Sequence, residues 1–398
     1  MEIKKKIWLS IAIYIIATLS GISQVADTTA TDNTITVSLV TFYPGDESFS
    51  IYGHTELRVQ QNNYDVYYNY GVFDFNSPGF VYRFVTGDAL YYCVPVPAKY
   101  AQSGMEGRRM VEQRLNLTQE QAERVRNYLI VNSLPDNRAY QYRYLTDNCS
   151  TRPRDIIENA LAEDSLQYND TTSTTTYRQM MTYYGENYLW QQFGIDLVLG
   201  SELDKPLDYR QQMFVPMVLM EGFDGATIMR GGAKVPLVND TEIVVNGSEK
   251  GIVLPPTPWW CAPLTVTLAI LIIAIILSWR DTRRRRVTRW FDCAFYAILA
   301  IIGCVIMFLI TMSHHEAISP NYNLLWAHPL ALIPTILTPF IKRTRRILRI
   351  YHGINALVMA FTLAGWYFLP QAANVAFFPL MATSLIRSAS FLIATRRA

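Results

Sequence analysis

The second half of this 398-residue chain alternates long apolar stretches with short arginine clusters, and that pattern constrains the fold more than any other feature. Residues 259–278, 291–312 and 373–395 are each long and apolar enough to cross a bilayer. Residues 324–341 and 354–369 are shorter, and Pro329, Pro334 and Pro339 weaken the first of these two as a regular helix. Arg280, residues 283–286 and Arg289 fall between the first two stretches, and Lys342, Arg343, Arg345, Arg346 and Arg349 between the third and fourth. Arg396 and Arg397 close the chain, while segments 313–323 and 370–372 hold no Lys or Arg. Positive charge on alternate loops predicts about five transmembrane helices, with the C-terminus in the cytoplasm and residues from about 24 to 256 outside it.

The N-terminus agrees with that topology. Lys4, Lys5 and Lys6 precede an apolar run over 7–19, and Gly21 and Ser23 offer a small-x-small cleavage site. The expected organisation is a signal peptide or anchor over 1–23, an external domain over 24–256 and a membrane domain over 257–398. A formal net charge of +2 is bland and argues for no particular partner, nucleic acid included. Acidic residues lie mostly before Lys250 and arginine runs crowd the C-terminal remainder, an asymmetry that fits a membrane protein. Arg387 falls inside the last apolar stretch, where it is expected to snorkel toward the cytoplasmic face or to face a neighbouring helix.

The external region reads as α+β. Strands are expected at 35–42, at 51–59 with Tyr52, His54, Glu56 and Arg58 on one face, at 65–75 and at 91–96. Thr118 with Gln121 forms a capping box for a helix reaching Asn132, and a second helix is expected just after Cys149 with Pro153 in its first turn. Cys261, Cys293 and Cys304 lie in or beside the apolar stretches, which leaves Cys93 and Cys149 outside. Cys93 sits in an apolar strand, as a buried free thiol does. Pairing of the two stays open in an oxidising compartment. Neither CxxC nor HxxxH spacing is present, which points away from a metal site, and no cofactor is implied. Cys149, in "LTDNCSTRPRD", lies among polar residues at a helix start, where the helix dipole stabilises a thiolate. His54 is the one histidine before residue 257, so a Cys–His dyad outside the membrane has to pair Cys149 with His54.

The strings "YGHTELRV", "YNYGVFDF" and "YLTDNCSTRPRD" resemble the periplasmic domain of the Lnb family of lipoprotein N-acyltransferases, and "HHEAISPNYNLLWAHPL" resembles the segment between that family's membrane spans. The resemblance implies a permuted papain-like (NlpC/P60-type) domain, in which histidine precedes cysteine, followed by an α-helical membrane domain in the bacterial inner membrane. It also implies acyl transfer from a phospholipid, through a Cys149 thioester, to the α-amine of a diacylated lipoprotein. On that template Asn69 orients His54, or is an ordinary strand-face amide. Tyr52 and Arg58 bind the lipid head group, or Arg58 only forms a salt bridge. Asn148, Ser150 and Thr151 shape the site at the helix start, with the N–H groups of Cys149 and Ser150 as oxyanion donors, or Asn148 and Thr151 merely build the turn and cap. His315 and Glu316 complete the site from the membrane side, or belong to a polar interfacial loop anchored by Trp326. Two rival functions remain: a cell-wall amidase or peptidase, and a non-enzymatic membrane assembly protein with a silent or disulfide-bonded Cys149.

Overall fold

A computed structural model describes residues 33–47, 49–101, 107–161, 164–169, 174–252 and 255–396. The export segment expected over 1–23 and the terminal Arg397 lie outside the described residues. The external domain is organised by strand β1 (Thr36–Phe42), whose β-branched and aromatic residues are covered on both faces. Val37 and Leu39 pack with Val125 and Leu129 of a helix on one side, while Val40 and Phe42 meet Tyr67 and Met110 on the other. Around β1 run β2 (His54–Gln61), β3 (Tyr64–Val72), β4 (Leu90–Pro97), β5 (Met110–Leu115), β6 (Ala139–Gln141) and β10 (Val238–Val245). They form one sheet in the order β10-β5-β1-β2-β3-β4-β6, with neighbours antiparallel. A second, three-stranded sheet joins β7 (Ser165–Gln167), β8 (Thr227–Arg230) and β9 (Ala233–Pro236).

The expected strands are present with shifted bounds. The strand expected from residue 51 begins at His54, because residues 51–53 make a turn, and the one expected to reach residue 75 stops at Val72. Helix α1 (Phe80–Thr86) follows β3, and α2 (Gln119–Asn132) starts at the expected Thr118–Gln121 capping box. That box satisfies two end groups of the helix that otherwise have no intrahelical partner, a contribution of about 1 kcal/mol. Helix α3 (Thr151–Ala160) follows Cys149 and buries Ile156, Ile157 and Ala160 against the sheet. Cys93 lies buried in β4, and both it and Cys149 are free thiols.

Four helical stretches in the C-terminal part are long and apolar enough to cross a membrane: Pro263–Arg284, Arg289–Met312, Tyr322–Phe368 and Phe377–Ala394. The third is 47 residues long, about twice what one crossing needs. It doubles back. Tyr322 N–H donates to Gln371 Oε1 (2.8 Å) and Trp366 Nε1 to the Gln371 carbonyl (2.8 Å), while midway Pro339 O accepts from Arg289 (3.1 Å). Its first limb is a chain of short 3-10 and α segments interrupted by Pro329, Pro334 and Pro339, its second a regular helix, Ile341–Gly365. The five expected passes are therefore three separate helices and one folded stretch.

Of the two placements expected for Arg387, the structure has the one that faces neighbouring helices: it is 1% exposed and bonds Asp292 through two contacts (2.6 and 3.0 Å), Asp281 (2.8 Å) and Ser278 (3.0 Å). It ties the last helix to the first two, because a charge in this apolar setting needs partners on every side. Trp326 is no interfacial anchor. It is 1% exposed, with its indole N–H held by Asn323 (3.0 Å).

The external domain docks on the loops at one end of this bundle. In the helix Leu189–Val198, the Asp196, Leu197 and Val198 carbonyls accept from Asn321 and Asn323, and Asp196 Oδ2 accepts from Asn374 (2.9 Å). Arg178 closes the other side of the Asp196 carboxylate (2.8 Å). A second contact joins α1 to the loop after Met312, where Ser313, His314 and His315 bond the chain from Phe84 to Asp88.

Candidate active site

His54 is the first residue of β2, and the turn that delivers it depends on Gly53. The φ there is +85°, and a Cβ would stand 2.8 Å from the Phe42 carbonyl oxygen. Antiparallel pairing then sets Glu56 opposite Asn69 on β3. Asn69 Oδ1 lies 3.0 Å from His54 Nε2, and Glu56 Oε1 lies 3.6 Å from the same nitrogen. With Nε2 held by the amide, Nδ1 is the ring nitrogen left for Cys149.

Cys149 occupies the turn before α3, and Asn148 builds that turn. The Asn148 Oδ1 accepts from the N–H groups of Ser150 (2.8 Å) and Thr151 (2.9 Å), and its Nδ2 donates to the carbonyls of Tyr144 and Phe214 (2.9 Å each). Its own N–H donates to Thr151 Oγ1 (2.8 Å), and Ser150 Oγ donates to the Met213 carbonyl (2.7 Å). All three side chains are spent in holding the thiol in place. This alters the oxyanion expectation: the Ser150 N–H already serves Asn148, whereas the Cys149 N–H has no acceptor among the described residues. Across the site, Gly71 (φ +95°) lets β3 pass with its backbone against Cys149, where a Cβ would stand 3.6 Å from the cysteine Cβ.

The electrostatics favour an ion pair. Burial raises the Cys149 pKa, but the His54 charge, a hydrogen bond with His54, the Thr55 N–H and the Tyr142 side chain outweigh it, and the net shift is downward. Burial likewise opposes protonation of His54. Cys149 and then Glu56 overcome it and raise the imidazole to about 10. Both shifts favour the pair of thiolate and imidazolium, a nucleophile with its proton donor beside it.

The dyad opens on a cavity of about 590 Å³, lined also by Tyr52, Asn69, Asn148, Arg108 and a group of aromatic side chains. The Tyr52 hydroxyl is buried without a partner among the described residues. Arg58 is not in this cavity. Its guanidinium is held by Asp65 (2.7 and 2.8 Å) and Glu112 (2.6 Å), so its side chain is a strand-to-strand clamp and not a head-group ligand. His315 and Glu316 also stand outside the cavity lining. His315 Nε2 meets the Phe84 carbonyl (2.6 Å), while Glu316 accepts from the Thr146 hydroxyl and pairs with Arg143 (3.7 Å). They brace the elements flanking the dyad from the membrane side.

Tyr142 and Arg108 reach the site without having been singled out in the sequence, while Glu56 was placed on the His54 face by strand alternation alone. Tyr142 had a signal: Tyr140, Tyr142 and Tyr144 alternate in strand register just before Cys149. Arg108 had none, because it arrives from a different part of the chain through the pairing of β5 with β1.

Fold and site together define a membrane-embedded protein whose external α+β domain carries a buried Cys–His pair, the histidine strand preceding the cysteine helix. Residues 23–183 match the Lnb N-terminal periplasmic domain and residues 256–398 match the Lnb transmembrane domain. The chain belongs to the Lnb family, which makes it an inner-membrane protein with a periplasmic domain and directs attention to lipoprotein modification. No curated protein and no solved structure matches the chain.

Proposed function

We propose that this protein is an apolipoprotein N-acyltransferase in which Cys149 is the nucleophile, His54 the acid and base, and Asn69 the residue that orients His54. The observation that carries the reading is the Cys149–His54–Asn69 alignment at an apolar cavity, in a chain of the Lnb family. The Cys149 thiolate adds to the ester carbonyl of a phospholipid. The bond between the carbonyl carbon and the glycerol oxygen breaks, that oxygen takes the His54 proton, and lysophospholipid departs from an acyl thioester. The α-amine of a diacylglyceryl cysteine then attacks this thioester. His54 accepts the amine proton, the C–S bond breaks, and the thiolate is regenerated. The free Cys149 N–H is the donor best placed for the tetrahedral oxyanion. Asn148, Ser150 and Thr151 act by holding the cysteine turn.

The topology that suits this chemistry has the domain over 24–256 in the periplasm, the domain over 257–398 in the membrane and the C-terminus in the cytoplasm. Its support is that the Arg-rich ends meet away from the docked domain: Arg289 bonds Pro339 O, and Arg349 bonds Leu392 O and Thr395. A cell-wall hydrolase has no use for so large a membrane domain bonded to its catalytic one.

The test is complementation of cells lacking their own N-acyltransferase, with mass spectrometry of a lipoprotein N-terminus. The wild-type chain is expected to add one acyl group, and Cys149→Ala and His54→Ala to add none. Full activity in Cys149→Ala would end the proposal.

A further inference from the structure

Resting on that acyl-transfer reading, we infer that the aromatic cleft between Cys149 and α1 is the binding site for the transferred fatty acyl chain of a glycerophospholipid, with α1 lying at the level of the bilayer surface. The cleft is walled by rings in unbroken succession. Tyr142, beside the Cys149 thiol, stacks on Tyr91 (4.3 Å between centroids), and Tyr91 meets Phe73 (5.0 Å). Phe73 stacks on Phe80 (5.7 Å), Phe80 on Phe84 (5.9 Å), and Phe84 meets His315 (6.3 Å). Charged lining residues, Arg108 and the dyad itself, stand at the thiol end, whereas Phe73, Phe75, Phe80, Val81 and Phe84 make an arm without a charge.

The far end of this wall lies one short step from a membrane helix. Met312 ends the second candidate span, and the next three residues bond α1 and its C-terminal turn. A helix fixed there sits at the boundary of head groups and acyl chains. Its outward residues fit that depth: Val81 is 74% exposed and Tyr82 57%, and Phe75 beside them is 65% exposed. So much clustered apolar surface is rare on a protein face turned to water.

The geometry favours the donor's acyl chain over the lipid chains of the acceptor. The carbon bonded to sulfur must be the carbonyl carbon, so its chain trails from the thiol along the wall beside it. That chain also stays behind when the head group leaves, and needs an apolar seat for the lifetime of the thioester. The acceptor presents an amine to a site already filled.

The experiment uses the full chain with Cys149→Ala, which halts turnover, in phosphatidylglycerol vesicles doped with a phosphatidylethanolamine carrying a diazirine near the methyl end of one acyl chain. Photolabelling should place the probe on peptides spanning 73–84. The double variant Val81→Glu, Phe84→Glu should lower that label by about tenfold or more, since a carboxylate is costly beside lipid chains. Its unfolding midpoint should match that of the parent, because both side chains are exposed. Label confined to the membrane helices, or unchanged in the double variant, overturns the assignment. So does cleft labelling by a diazirine-bearing diacylglyceryl lipopeptide in place of the phospholipid. Intact-mass measurement on the wild-type chain keeps the two ideas apart. Cleft labelling without an acyl adduct on Cys149 removes the transfer reading and leaves the site, while an adduct without cleft labelling does the reverse.

Discussion

Among the described residues, two buried ionic clusters make a contrast, Cys149 with His54 in the external domain and Arg387 with Asp281 and Asp292 among the membrane helices. In the second, the guanidinium fork is met by two carboxylates and a serine hydroxyl, and Arg387 is closed off from solvent. In the first, Asn69 holds one side of the imidazole, while the thiol faces a cavity large enough for a substrate. The same physics of charge in a low dielectric serves structure where every donor is satisfied, and reactivity where one partner is left facing space.

The contrast is broken most forcefully at Arg387. Arg387→Met leaves two carboxylates without their partner and is expected to destabilise the folded chain by about 3–5 kcal/mol, read as a lowered unfolding midpoint in detergent. Adding Asp292→Leu and Asp281→Asn should recover much of that loss. If Arg387→Met unfolds like the wild type, the cluster is not structural. At the dyad, Asn69→Ala should leave the fold intact and lower acyl transfer by roughly ten- to a hundredfold, because an unsatisfied or misoriented imidazole costs about 1–3 kcal/mol. Asn69→Asp, which keeps the acceptor, should restore part of it. Equal rates for Asn69→Ala and wild type would return Asn69 to an ordinary strand amide.

The pH dependence sharpens the same comparison. The lowered Cys149 pKa predicts an alkylation rate that switches on with a midpoint below the ordinary 9.0, and His54→Asn should move it upward. The linked stability has a definite sign. The His54 contribution is complete below its unfolded value of 6.5 and is lost as pH rises through about 10. The Cys149 contribution is present above 9.0 and is lost as pH falls through its lowered value. The smallest expected effect lies outside both clusters: Thr118→Ala removes the capping box of α2 and should cost about 1 kcal/mol without touching transfer.

Much of the site was legible because the chain before residue 257 holds a single histidine and one cysteine in polar surroundings, and because the Gly53–His54 and Asn148–Cys149 turns are local structures. Arg58 was left between head-group ligand and salt bridge for a physical reason. Period-2 alternation assigns a residue to a strand face, but cannot say which stretch of that face lies over the cavity. Arg58 lies four pairs along from His54 and meets Asp65 and Glu112 there. Ser150 was misjudged as an oxyanion donor because a free N–H at a helix start is a statement about neighbours, and Asn148 had already taken it.

What the sequence by itself determined is local: apolar length and arginine placement set the membrane passes, capping and turn residues set helix starts, and residue scarcity paired Cys149 with His54. Only the tertiary structure decided which groups meet across long chain separations. Asn69 and Glu56 converge on one imidazole nitrogen, Arg108 reaches the cavity from the segment just before β5, α1 is pinned to the loop after Met312, and Arg387 finds two aspartates far from it in the chain. Those encounters depend on sheet register and helix packing, which are settled by burying the whole surface at once and so are written in no single stretch of residues.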